Sequence, residues 1–336
     1  AFIPRTGTTE DGMESRISKA YRGEPRDSID TVFIGNSDIY RAISPVDLFH
    51  QTGITSAIAG KPNKQLSEVP GDIRDILRYQ NPKTIVLETD CMFSGTNPGF
   101  KKGISPLEAE AAKVDVAGQT PSKETNAPQQ NIFAKCKALL QEGDSAFLAA
   151  LNYKFPLVKY HDNWKHLKLA TFLQPRGKYH FSNKGMAYAN TVKAYPFGNE
   201  YMQLSGGKHA MLSEEKLDQF QKIYDLCDRN GIRLVLLTVP SANTWNKGKS
   251  DTVKQLAKKY DLTYYDYNRQ LPTGFDWATD SKDGGNHLNY AGASAVTKDL
   301  AKKLTDDLTM NPTSLTKEQK QQWKKDYEHF HKSIVK

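Results

Sequence analysis

Cysteine is scarce in this chain, and long apolar runs are missing. Cys91, Cys136 and Cys227 are odd in number and far apart, so they imply neither a disulfide framework nor the paired spacing of a zinc site. No stretch approaches the roughly 20 apolar residues that a bilayer-spanning helix needs; the best is the short run from Leu234 to Val239. One sign of charge is only mildly in excess, with 46 Lys and Arg against 38 Asp and Glu for a net +8. That favours anionic partners without naming one, and no recognised nucleic-acid module accompanies it. What is present is the composition of a soluble globular protein, 38% hydrophobic and 25% charged over 336 residues, which argues against disorder over most of the length. Such a length accommodates one large α/β domain with insertions or two smaller domains. The chain opens at Ala1 with neither a signal peptide nor an anchor. It reads as an ectodomain whose membrane anchor has been removed, residues 1–30 being the segment that followed it; a processed cytosolic chain would look the same.

Strand and helix signals alternate. Thr31 to Gly35 is an apolar run ending in glycine, followed by Asn36-Ser37-Asp38 and a helix start at Ser44-Pro45. Further strands are expected at Ile54 to Ala59, Thr84 to Leu87, Arg233 to Val239 and Leu262 to Tyr265. Helices are expected at Gln65 to Tyr79, Ser213 to Arg229, Asp251 to Tyr260 and Ala291 to Leu308. This order predicts an α/β three-layer sandwich with a central parallel sheet. Residues 94–210 interrupt the pattern and are read as a large inserted cap, with a helix from Ile132 to Tyr153. The sheet domain is then 31–93 with 211–310, and a polar helix at 311–336 closes the chain. There is no internal repeat.

In parallel α/β sheets, reactive side chains gather at the carboxyl ends of strands. Ser37 occupies such a place, on a turn that can project its hydroxyl; equally, three turn-forming residues can simply make the turn. A serine nucleophile needs a base, and the base an orienting carboxylate. The segment Asp280-Ser-Lys-Asp-Gly-Gly-Asn-His287-Leu-Asn-Tyr-Ala-Gly292 offers both, in a glycine-rich loop before a helix. Asp283 stands four residues before His287, and Asp280 is the alternative acid. The plain reading of His287 as an ordinary loop histidine stays open.

Gly-Asn-Ser-Asp after the first strand, paired with Asp-x-x-x-His-Leu-Asn-x-x-Gly before the last helix, resembles the SGNH, or GDSL-like, hydrolase superfamily over about Thr31 to Asp90 and Gly231 to Leu308. The resemblance implies Ser37 as nucleophile, His287 as general base and then acid, and Asp283 as the orienting group, without cofactor or metal. It also implies an oxyanion hole of the Ser37 and Gly60 N–H groups. The superfamily's third block, Gly-x-Asn-Asp, is replaced here by Glu88-Thr89-Asp90, so Thr89, or Asn163 in the insertion, is the candidate third donor. Glu88 and Asp90 can equally serve structure, by capping or by pairing with a lysine.

That departure and the insertion make the chain similar to the superfamily's bacterial cell-envelope branch, DltD-like proteins and the partners of membrane-bound O-acyltransferases. Tyr160-His161-Asp162-Asn163-Trp164-Lys165 resembles an element of that branch, lying in a basic, aromatic stretch from Leu151 to Gly185. The resemblance implies an anchored enzyme on the extracellular face of the bacterial cytoplasmic membrane. It would receive an acyl group from a membrane-bound O-acyltransferase and pass it to a hydroxyl of an anionic or neutral envelope polysaccharide. Tyr160, His161, Trp164 and Lys165 would line the acceptor groove, because sugars stack on aromatic faces. Alternatively Trp164 is core of the cap and the lysines a solvated face.

Overall fold

The computed structural model describes residues 19–93, 105, 107 and 180–334, all within one compact unit of Glu14–Lys113 with Lys178–Lys336. Five strands form one sheet: β1 (Thr31–Gly35), β2 (Ser56–Gly60), β3 (Thr84–Glu88), β4 (Arg233–Thr238) and β5 (Thr263–Asp266). Every pairing is parallel and the order is β2-β1-β3-β4-β5. The first three strands are buried along their whole length, as expected for a parallel sheet covered on both faces.

The helices are α1 (Ser37–Ala42), α2 (Pro45–Thr52), α3 (Val69–Ile76), α4 (Glu214–Arg229), α5 (Lys247–Lys259), α6 (Tyr290–Lys302) and α7 (Lys317–Ile334). Their contacts separate α1, α2, α6 and α7 from the pair α3 and α4, giving a sheet flanked by helices. Side-chain caps mark several starts: Ser44, Ser213, Asn246 and Asn289 each accept an N–H of the first helical turn.

Three elements differ from the sequence reading. α1 is a helix where a turn was expected, because Asn36 caps it and Ile39 and Tyr40 are buried beneath it. α5 begins four residues before the expected Asp251, at its Asn246 cap. The last sheet-domain helix changes at Lys303 to a π turn running to Asp307. The polar C-terminal helix is held by Trp323, Asp326 and Phe330, all buried.

Part of the stretch read as an insertion is woven into the sheet unit. Lys184 O accepts Ile58 N–H off the free edge of β2, Ala187 N–H reaches Tyr40 O, and Ala189 O accepts Tyr290 N–H. Residues 180–210 thus lace β2, α1 and α6 together. The expected helix at Ile132 to Tyr153 lies outside the described residues.

Candidate active site

The order β2-β1-β3 places a topological switch point at β1, where successive connections leave in opposite directions and a crevice opens at the strands' carboxyl ends. Ser37 stands there, the first residue of α1. Asn36 is extended and its side-chain oxygen accepts Asp38 N–H at 2.9 Å. Gly35 is required because a Cβ would stand 2.5 Å from the Glu88 Cβ; the Glu88 side chain lies across the end of β1.

His287 arrives on a loop folded almost entirely by its backbone. Ser281 and Leu288 form an antiparallel bridge, Lys282 N–H donates to His287 O, and Ser281 Oγ accepts the N–H groups of Gly284 and Gly285. Gly284 and Gly285 have φ of 84° and 101°, a region that disfavours side chains, and a Cβ on Gly285 would meet the Tyr195 ring at 2.6 Å. The segment after β4 clamps this loop. Asn243 donates its side-chain amide to Gly284 O and its N–H to Gly285 O, both at 3.0 Å, and Ser241 Oγ donates to Asn286 O at 2.9 Å.

The result is a three-residue relay. Ser37 Oγ lies 2.9 Å from His287 Nε2, and His287 Nδ1 lies 2.6 Å from Asp283 Oδ2. The other Asp283 oxygen accepts the N–H groups of His287, at 2.8 Å, and Asn286, at 3.2 Å. With the carboxylate on Nδ1, that nitrogen carries the proton and Nε2 is left to accept the serine's. Burial pushes the Asp283 carboxyl up, but the hydrogen bonds from the His287 ring and main chain outweigh it and hold it below the usual carboxylate range. The alternative acid, Asp280, faces elsewhere: its oxygens accept Asp276 N–H and the Thr279 hydroxyl. The spacing of four works because the two glycines let the chain double back between Asp283 and His287.

Two expected oxyanion donors are engaged or turned away. Thr89 N–H donates to Leu237 O at 2.9 Å, and its hydroxyl lies 2.5 Å from that of Thr238, which in turn meets Tyr264 and, through it, Asp266. Thr89 therefore extends the β3–β4 ladder. Along β2, Thr55 O and Lys61 N–H bond to β1 while Ile58 N–H bonds outward to Lys184 O; strand alternation sends Gly60 N–H outward as well. Glycine is needed there for close packing instead, since a Cβ would lie 2.9 Å from the Tyr40 ring. The Ser37 N–H, at the first helical position, has no acceptor within α1. Asn163 and the candidate acceptor residues Tyr160, His161, Trp164 and Lys165 lie outside the described residues.

A buried set of charges that sequence reasoning did not assemble lies against the relay. Asp90 accepts the Asn36 side-chain amide at 2.9 Å and stands 3.4 Å from the ammonium of Lys249, a fully buried residue that also donates to Thr244 O at 2.6 Å. Glu88, fully buried, accepts Asp90 N–H at 2.6 Å on one oxygen; the other meets no hydrogen-bond donor at close range among the described residues. Asp38 is buried, with one oxygen 3.9 Å from His287 Nε2. Burial first, and Asp90 second, push Glu88 up to about 8. Burial, Asp90 and Glu88 likewise push Asp38 well above the carboxylate range. Among the described residues no group of three or more His, Cys, Asp or Glu is arranged to hold a metal ion. No described helix is long and apolar enough to cross a membrane.

No protein-family model and no curated protein matches the chain. Among solved structures it is similar to a proposed acylhydrolase from Bacteroides fragilis NCTC 9343, at 11% identity and a TM-score of 0.38 over 88% of this chain and 96% of that one. It is also similar to a GDSL-like lipase from Bacteroides thetaiotaomicron VPI-5482, at 11% identity and a TM-score of 0.35 over 86% and 97%. The chemistry of the site stands on the Ser37, His287 and Asp283 geometry.

Proposed function

We propose that the chain is a serine O-acyltransferase of the bacterial cell envelope, moving an acyl group, acetyl in the simplest case, through a Ser37 acyl-enzyme to a polysaccharide hydroxyl. The observation that carries the reading is the continuous relay from Ser37 Oγ through His287 to Asp283, at 2.9 and 2.6 Å. His287 takes the Ser37 proton as Oγ attacks the acyl carbonyl, and returns it to the departing group of the donor. In the second half His287 takes the proton of an acceptor hydroxyl, which attacks the acyl-serine, and gives that proton back to Ser37. The relay accepts water in that half-reaction too. Transfer over hydrolysis requires an acceptor held close enough to outcompete water, a task for the insertion and its Tyr160, His161, Trp164 and Lys165. The acyl donor in this reading is a membrane-bound O-acyltransferase, and the site works on the extracellular side of the cytoplasmic membrane, where such polysaccharides are.

The test is incubation with an activated acetyl ester, with and without envelope oligosaccharides, followed by peptide mapping. The expected result is an acetyl adduct on Ser37, absent from Ser37→Ala, with turnover lower in the variant by on the order of 10⁴-fold or more. Acetylated oligosaccharide marks a transferase. Ester hydrolysis indifferent to added acceptor marks a carbohydrate esterase built on the same relay. Wild type without adduct or turnover overturns the acyl-enzyme and leaves a polysaccharide-binding role.

A further inference from the structure

Beneath the relay, among the described residues, three carboxyl groups lie around one ammonium. Asp38, Glu88 and Asp90 are all buried, and Lys249 is the cation set among them. Ionising all three would put three negative charges against one positive charge among the described residues, in a largely buried place, which is unfavourable for carboxylates this close. Lys249 neutralises the one it touches, Asp90. Glu88 then holds its proton at neutral pH, and burial, Asp90 and Glu88 push the Asp38 carboxyl in the same direction.

Asp38 is the member of this set that faces the chemistry. It follows the nucleophile directly, is only 4% exposed, and has one carboxyl oxygen 3.9 Å from His287 Nε2, the nitrogen that must receive the serine proton. Its side chain makes no hydrogen bond among the described residues. Among the described residues the charged groups around it are Glu88 and Asp90 at the end of β3, Lys249 on α5, and Asp283 and His287 on the catalytic loop.

Building on the acyl-enzyme reading, we infer that Asp38 is a positioning residue that must carry its proton for the Ser37–His287 pair to work, so that its ionisation closes the site from the alkaline side. As a neutral acid it places no charge beside Nε2, and Ser37 is left as that nitrogen's partner. As a carboxylate it would hold the imidazolium proton on its own side, away from the group that must receive it. It would also set a buried negative charge one residue from the carbonyl where the oxyanion develops. Both effects slow the same step.

The experiment is a pH–rate profile from pH 6 to 10 with an aryl acetate ester, on wild type, Asp38→Asn and Glu88→Gln, with the same substrate and Ser37→Ala as the blank. Wild type should lose on the order of tenfold in kcat/KM across an alkaline limb. Asp38→Asn, a neutral isostere, should keep the acid limb and lose the alkaline one. Glu88→Gln removes the negative charge that Glu88 gains as pH passes about 8, makes Asp38 easier to ionise there, and should bring the alkaline limb to lower pH. An Asp38→Asn profile that retains the wild-type alkaline limb overturns the proposal. The His287 ring proton followed by NMR gives a second readout that needs no turnover: an alkaline shift caused by Asp38 ionisation should be present in wild type and in Glu88→Gln and absent from Asp38→Asn. An alkaline shift that persists in Asp38→Asn and disappears in Glu88→Gln overturns the proposal. Absence of Ser37-dependent turnover, by contrast, defeats the acyl-enzyme reading and leaves the NMR titration to decide the state of Asp38.

Discussion

Lys184 and Lys249 are both completely buried in charged company, and the company differs. Lys184 lies between Glu24 and Asp326, at 2.8 and 2.7 Å, above the Trp323 ring, and His180 joins the same two carboxylates. The hydrogen bonds that His180 donates, first to Asp326 and then to Glu24, push it up to about 9, so two cations face two anions. Lys249 faces Asp90, with Glu88 and Asp38 close by, one cation among three acids. The first set is matched in charge and fastens the segment from 180, the residues before β1 and α7 to one another. The second, among the described residues, carries more acids than cations, and it adjoins the relay. A buried ion pair whose charges cancel needs only structure to explain it; one that leaves acids over sets the conditions under which a neighbouring base can work.

The largest expected effect breaks the matched set. Lys184→Met leaves Glu24 and Asp326 with His180 alone, and loss of one partner from a buried pair costs about 3–5 kcal/mol. Chemical denaturation should show that loss, while kcat per folded molecule at a permissive temperature stays at the wild-type value. Lys249→Met should be milder in stability, on the order of 2 kcal/mol, because its ion pair with Asp90 is long, 3.4 Å, whereas Lys184 stands 2.8 and 2.7 Å from its two carboxylates. Its effect should instead reach the chemistry. Lys249 supports Asp90, Asp90 holds the Asn36 amide, and Asn36 caps the helix that begins with Ser37. A fall of roughly tenfold in kcat with little change in KM is the expected signature of a nucleophile less well held. Equal kcat losses in the two variants would erase the distinction between the sets.

The sheet was legible in the sequence where strands are short apolar runs bounded by turn residues, as at Thr31 to Gly35 and Arg233 to Thr238. α1 was not, because Ser37-Asp-Ile-Tyr-Arg-Ala42 is too short for helical periodicity to register and begins with residues that also make turns. The relay was legible for a different reason. Each half carries its own local mark, a strand-end serine and a glycine-rich loop holding a histidine, and the resemblance joined them across 250 residues. Choosing Asp283 over Asp280 took the loop's backbone, since spacing leaves either acid open. Lys249 was invisible: it sits in a lysine-rich helix, and its partner Asp90 is 159 residues away. The only trace was the oddity of Glu88 and Asp90 at the end of a buried strand, where the sequence suggested pairing with a lysine. The sequence placed the acceptor groove within residues that the structure does not describe.

The smallest expected effect tests the matched set through pH. His180 has a folded value raised to about 9, against an ordinary imidazole near 6.5. A raised basic group binds its proton more tightly in the folded chain, so its contribution is fully present below about 6.5 and is lost as pH rises through 9. The ring is about one third exposed, which screens the pairing, so the contribution is about 1 kcal/mol. Wild type should therefore lose a few degrees of melting temperature between pH 7 and 10 that His180→Gln does not lose. Glu88 slopes the same way for the opposite reason: a buried acid that keeps its proton when folded destabilises the fold increasingly from about 4.5 up to 8. The two are separable by where the slope lies, His180→Gln flattening the curve between about 6.5 and 9 and Glu88→Gln flattening it between about 4.5 and 8. If His180→Gln leaves the alkaline slope unchanged, the imidazolium does not complete the matched set, and Lys184 alone faces its two carboxylates.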